Sequence, residues 1–117
     1  MHSEQMMSEA DLMDAVVELA HLRGFIVAHF AAARVKDGWR TPARFDAKGF
    51  PDLTIVGHGR FIVAELKSAR GRIDLDQHSW LDVMRDTPVE VHLWRPVHWF
   101  DGTIDAALCD HRMEAYQ

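Results

Sequence analysis

Residues 52–67 read DLTIVGHGRFIVAELK, two β-branched runs, Asp52–Val56 and Phe61–Lys67, on either side of Gly57-His58-Gly59-Arg60. Apolar runs of this kind flanking a glycine turn pair as a β-hairpin. With His58 and Gly59 as the loop, Gly57 pairs with Arg60 and Asp52 comes directly opposite Glu65. A four-residue loop over 57–60 gives the same register. A two-residue loop at Gly57-His58 shifts the pairing by two and leaves the acids diagonal, still on one face. Directly opposed side chains lie about 5 Å apart at Cβ, and Lys67, two residues beyond Glu65, shares their face. Two carboxylates so placed repel each other. Either one is protonated or a cation sits between them. Lys67 in a structural ion pair is one candidate for that cation. A divalent metal, Mg²⁺ or Mn²⁺, is the other, because carboxylate oxygens suit hard ions.

The elements around the hairpin follow from local signals. Ser8 can cap a helix running to Arg23, with Gly24 as its stop. On a helical wheel Leu12, Met13, Val16, Leu19 and Ala20 form an apolar stripe with Glu9 inside it, while Asp11, Asp14 and Glu18 fall on the opposite face. Glu9 is thus a candidate third acid pointing inward. Phe25–Phe30 reads as a strand, and residues 31–50, with Gly38, Pro42 and Gly49, as a long loop. Asp74 with Gln77 three residues on makes a capping box for a helix ending near Arg85. Val89–Trp94 is a fourth strand that Pro96 ends, and a short helix near Thr103–Cys109 follows. The order is that of an α/β sandwich around a four-stranded mixed sheet.

At 117 residues, with 48% hydrophobic and 26% charged content, the chain is expected to be one domain over 1–117, with residues 1–7 and 111–117 as loose tails. No apolar run is long enough to span a membrane, and the N-terminus has no signal core. One cysteine, Cys109, reads as a small buried hydrophobe and fits a reducing cytosol, so a cytoplasmic protein is expected. The net charge of −5 is unevenly spread. Nine of the 13 Lys and Arg lie between Arg34 and Arg72 against four acids there, a balance of +5, and the rest of the chain carries −10. A basic middle in an acidic frame points to one surface that meets an anion, or to a solvated loop.

Gly49-Phe50-Pro51-Asp52, then Glu65-Leu66-Lys67, then Gln77 resembles the PD-(D/E)xK nuclease superfamily, and most closely its virus-type replication-repair nuclease (VRR-NUC) domain. The likeness runs from about Glu9 to Trp94. It implies a restriction-endonuclease-like αβββαβ core and a metal-dependent endonuclease that hydrolyses DNA phosphodiester bonds. Asp52 and Glu65 would bind Mg²⁺ or Mn²⁺, joined by the backbone carbonyl of Leu66 and by Glu9. Lys67 would activate or orient the attacking water, and Gln77 would support the site from the next helix. Small stand-alone domains of this family resemble structure-selective nucleases that act as homodimers on branched DNA, as Holliday-junction resolvases do, and the family name hints at a phage or bacterial source. On that view Arg34, Lys36, Arg40, Arg44 and Lys48 before the site, and Arg70 and Arg72 after it, would hold phosphates. The residue types suit the chemistry: a divalent cation polarises a phosphoryl oxygen and lowers the pKa of bound water, and a nearby lysine adds positive charge where negative charge develops.

Other readings stay in play. A non-catalytic DNA-binding or interaction module could keep the same fold, and a structural protein could keep the acids and lysine as an ion pair. Eight histidines make no H-E-x-x-H, and one cysteine excludes a zinc finger. Trp39 is either a base-stacking or a packing residue; Trp80, Trp94 and Trp99 read as core.

Overall fold

The computed structural model describes residues 7–30 and 45–109, together with the backbone of 33–35 and 38–40. Helix α1 (Glu9–Leu22) starts at Ser8, whose hydroxyl accepts the Asp11 N–H while Asp11 reaches back to the Ser8 N–H. Gly24 follows its last turn at φ 85°, the left-handed position a glycine fills without strain. Then come β1 (Ile26–His29), β2 (Ala33–Val35), β3 (Gly38–Arg40), β4 (Leu53–Gly57) and β5 (Arg60–Leu66). Helix α2 (Leu75–Arg85), strand β6 (Glu90–Trp94) and the short helices α3 (Pro96–Phe100) and α4 (Thr103–Ala107) complete the chain.

Four strands form one mixed, open sheet in the order β1-β4-β5-β6. The β1–β4 and β4–β5 pairs are antiparallel and β5–β6 is parallel, with α2 as the crossover. The protein is therefore α/β with the four-stranded mixed sheet its sequence predicts. The β4–β5 register is the expected one: Gly57 pairs with Arg60 and Leu53 with Ala64. His58 and Gly59 form the two-residue loop, both at positive φ (55° and 75°), the signature of a type I′ turn. His58 adopts that conformation because its ring is held, with Nε2 2.7 Å from the Arg23 carbonyl and its face edge-on to Phe25.

Strand alternation gives the sheet two buried faces in β5. Ile62, Ala64 and Leu66 join Leu53, Ile55 and Trp94 in a core covered by Leu12, Val16 and Ala20 of α1 and by Ile104 and Leu108. Val63 and Glu65 point to the other face, where α2 supplies Gln77 to Glu65.

Three local expectations change. Residues 31–50 are not all loop, because β2 and β3 pair as a two-stranded ribbon. Three-residue strands are too short to show a periodicity. Pro96 does end β6, yet it also opens α3, since its fixed φ is preorganised for the first helical position. Met7, expected in the loose N-terminal tail, packs partly buried against the core; the C-terminal tail at 111–117 lies outside the described residues. Cys109 is half-buried, with its carbonyl accepting from Arg60. No helix among the described residues is long and apolar enough to cross a membrane.

Candidate active site

The hairpin register carries Asp52, one residue ahead of β4, to the end of β5 where Glu65 stands. Pro51 is fully buried before it, and the Asp52 carbonyl accepts the Phe30 N–H at 3.3 Å. Its carboxylate does a second job: Oδ2 accepts the Leu66 N–H at 2.8 Å. The next N–H, of Lys67, turns the other way and donates to the Trp94 carbonyl at 3.0 Å. In an extended strand the carbonyl of a residue shares the side of its N–H, so the Leu66 carbonyl is on the Asp52 side.

Glu65 is the one buried charged residue among the described ones, 2% exposed. Its Oε2 accepts the Gln77 side-chain N–H at 2.8 Å and lies 3.7 Å from Lys67 Nζ. The Gln77 amide can face only one way. Its Oε1 accepts the Asp74 N–H at 3.0 Å, closing the capping box of α2, and this turns Nε2 to Glu65. The expected capping box is thus also a support of the acid.

Glu65 stands opposite the charge of Asp52 in this buried setting. Its pKa is pushed up from the usual 4.5 to about 8 by burial first and by the charge of Asp52 second, with Lys67 pulling against both. Lys67 therefore compensates the pair only in part. A buried acid raised this far, with a named charge partner, marks a candidate functional site.

Asp52, Glu65, Lys67 and Gln77 come together as expected, with the backbone of Leu66 beside them. Glu9 does not join them. It is exposed in the first turn of α1, and no group of three acid, imidazole or thiolate side chains able to hold a metal forms among the described residues. The reason is twofold. Helical side chains lean toward the N-terminus, so one in the first turn leans off the end. Helix α1 also covers the sheet face opposite to Glu65, so a position on its apolar stripe does not aim at the acids.

The basic residues divide. Arg70 and Arg72 are exposed on the segment after Lys67. That segment is braced by Arg95, whose Nη1 donates to the Ser68 and Gly71 carbonyls at 2.8 and 2.7 Å. Lys48 is exposed and pairs with Asp76 at 3.3 Å. In the β2–β3 ribbon Arg34 pairs in register with Trp39 and Arg40 with Ala33; Lys36 and Arg44 lie outside the described residues. Arg60, a member of the +5 segment, is instead at the far end of β5, gripping Glu90.

Two contributors escape sequence reasoning. Arg95 follows a strand like any surface arginine, and nothing local reveals that it braces the 68–71 loop. Trp80, expected in the core, is half-buried and serves the segment before Asp52: its indole N–H donates to the Asp46 and Lys48 carbonyls at 2.9 and 3.1 Å. Gly49 makes that approach feasible. It has φ 88°, and an added Cβ would stand 2.6 Å from the Asp76 backbone.

A scan against protein-family models finds no match, and searches of curated proteins and of solved structures find none either.

Proposed function

We propose that the protein is a metal-dependent endodeoxyribonuclease with a restriction-endonuclease-like core of the VRR-NUC kind, acting on branched or otherwise structured DNA as a homodimer. The observation that carries the reading is an under-compensated carboxylate pair, buried Glu65 beside half-buried Asp52, with Lys67 on the same Glu65 oxygen that Gln77 holds. Burying like charges together is unfavourable unless a cation or a proton offsets them.

The donor set fits a hard divalent ion. Asp52 and Glu65 supply carboxylate oxygens, and the Leu66 carbonyl lies on the Asp52 side of β5. Oxygen ligands of this type suit Mg²⁺ or Mn²⁺, which keep several waters. When bound, the ion would supply Lewis-acid polarisation of a phosphoryl oxygen and a more acidic water. The residues of the chain do the rest. Gln77 holds the Glu65 carboxyl in place, Lys67 adds positive charge where the phosphorane charge develops, and exposed Arg70 and Arg72 position the backbone of the nucleic acid. A homodimer supplies two sites related by a two-fold, as symmetric cutting of two strands requires.

The test is cleavage of labelled branched, flap and linear DNA in Mg²⁺, Mn²⁺ and EDTA. Metal-dependent cutting that Asp52→Asn abolishes supports the reading, and full activity of Asp52→Asn removes it. One observation favours a second reading, a DNA-binding module without catalysis: Glu9 is exposed, and among the described residues only two acids meet. DNA binding without cleavage under every metal condition would select that reading.

A further inference from the structure

Beside the acid pair runs a line of aromatic rings with no place in the core cluster. Phe30, 60% exposed, meets Phe50 edge-on with ring centres 5.9 Å apart, and Phe50 meets Trp80 edge-on at 5.1 Å. Both ends of this line are tied to the acids. The Phe30 N–H donates to the carbonyl of Asp52. Trp80 stands three residues after Gln77, so it shares a helix face with the residue that holds Glu65. The segment between is fixed rather than loose: Trp80 takes the carbonyls of Asp46 and Lys48, and Gly49 packs on α2. The same segment presents Phe45, which is 99% exposed and has φ 57°, a conformation a bulky side chain rarely adopts. Burial explains neither exposed ring. Lys48 is exposed on the same segment as Phe45, and Arg70 and Arg72 are exposed on the segment that follows Lys67.

We infer that Phe30, backed by Phe50 and Trp80, is a stacking platform for an unpaired DNA base next to the scissile phosphate. The inference rests on the nuclease reading for its substrate and names the feature selected: a nucleotide outside the double helix. An exposed ring offers a π-face to any base, so stacking is tolerant of sequence. Paired bases in a continuous duplex keep their faces covered by their neighbours and have none to offer. The basic side chains complement the phosphates that flank such a nucleotide. Discrimination thus falls between unpaired and paired DNA, and not between base sequences.

The experiment uses the full chain carrying Lys67→Ala, in EDTA, so that binding is read without cleavage. The probes are a duplex with a single-stranded flap containing 2-aminopurine and a fully paired duplex of the same length. The Lys67→Ala protein is expected to prefer the flap and to change the 2-aminopurine fluorescence as the base stacks. Adding Phe30→Ala should weaken flap binding about five- to a hundred-fold, the range that stacking of one base supplies, and leave duplex binding within about twofold. Phe30→Tyr, which keeps the ring, should restore the preference. Phe30 is exposed, so these changes leave the core intact, and a thermal melt checks it. Equal weakening on both probes, or no change on either, overturns the platform. The parent reading fails separately: a platform that passes in a wild-type protein unable to cut leaves stacking standing without catalysis, while active cutting with Phe30→Ala unchanged leaves a nuclease without a platform.

Discussion

Strand β5 begins and ends on charge, and its two ends treat that charge in opposite ways. At the start, the Arg60 guanidinium grips both oxygens of Glu90 at 2.8 and 2.6 Å and donates to the carbonyls of Cys109 and Ala107 at 2.9 and 2.7 Å. Opposite charges meet in a fork geometry, and the guanidinium finds four acceptors. At the other end, five residues on, two acids face each other and one lysine stands 3.7 Å from Glu65. The first cluster is complete within the chain. The second is short of positive charge: burial first and the Asp52 charge second push the Glu65 pKa up to about 8, against the pull of Lys67. A complete ion cluster is architecture. A buried acid left short of positive charge is a candidate place for a proton or a cation to enter.

If that contrast holds, the largest effect of substitution falls on rate at one end of β5 and on stability at the other. In the proposed reaction, Lys67→Ala is expected to lower cleavage about 100- to 1,000-fold, the scale seen when one preorganised group that stabilises developing charge is removed. Asp52→Asn should lower it at least as much. Its melting temperature in EDTA at pH 9 should not fall, because above the Glu65 pKa of about 8 one of two like charges is gone and an oxygen remains to accept the Leu66 N–H. Arg60→Ala should leave the rate within about threefold at a temperature where it stays folded. Single-turnover cleavage and thermal melts on the three variants check this, and a rate loss in Arg60→Ala as large as in Lys67→Ala would erase the distinction.

The next effect is a pH dependence. Glu65 is raised from 4.5 in the unfolded chain to about 8 in the fold. Below the lower value both states hold the proton, and the fold has its full stability. As pH rises, the unfolded chain releases the proton first, so stability declines between about 4.5 and 8 and levels above. At about 1.4 kcal/mol per pKa unit the decline is of the order of a few kcal/mol. Denaturant titrations in EDTA at pH 5, 6.5 and 8 should show it in the wild type and not in Glu65→Gln. A divalent ion competes with that proton. Mn²⁺ should therefore stabilise the wild type at pH 8, by about 2.7 kcal/mol at a hundred-fold excess over its dissociation constant there, and should stabilise it less at pH 6 at the same Mn²⁺ concentration. A Mn²⁺ shift of the same size in Asp52→Asn would place the ion elsewhere.

The Arg60 end gives a smaller and simpler number. Arg60→Ala leaves Glu90 and two carbonyls without their shared donor, in a part-buried setting. The expected loss is about 2 kcal/mol, and the Glu65-dependent decline of stability between pH 5 and 8 should remain. A profile that changes in parallel with that of Glu65→Gln would mean that the two ends are coupled along the strand.

The hairpin was legible because its turn admits few registers. Once His58 and Gly59 form the loop, every pairing follows, and with it the meeting of Asp52 and Glu65. The capping box at Asp74 was legible for the same kind of reason, a local rule with a fixed spacing. Glu9 shows where such rules stop. A wheel gives the direction of a side chain around an axis but not which face of the sheet the helix covers, and here that choice separates Glu9 from the acids. Arg95 and Trp80 were invisible as site supports because their partners, at Ser68, Gly71, Asp46 and Lys48, are 24 to 34 residues away in the chain. The meaning of the basic segment was overstated by Arg60, since a count along the chain cannot tell a free cation from one already committed to Glu90.

The finest probe of the β5 contrast is Gln77, whose amide touches both a helix cap and the buried acid. Gln77→Ala removes both contacts and should destabilise the fold by about 1 kcal/mol, the usual scale of a lost cap. Gln77→Glu keeps the cap, since a carboxylate oxygen can accept the Asp74 N–H, but replaces the donor to Glu65 with a third acid. In EDTA at pH 8 it should therefore be less stable than Gln77→Ala, by like-charge repulsion next to a group that is 2% exposed. With Mn²⁺ the order should reverse, because a third carboxylate suits an ion that prefers oxygen ligands. Thermal melts of both variants with and without Mn²⁺ read the two signs directly. An equal Mn²⁺ shift in Gln77→Ala, Gln77→Glu and wild type would mean that no cation approaches the Oε2 side of Glu65. The proton would then be the full answer to the charge at this end of β5, and both ends of the strand would be architecture.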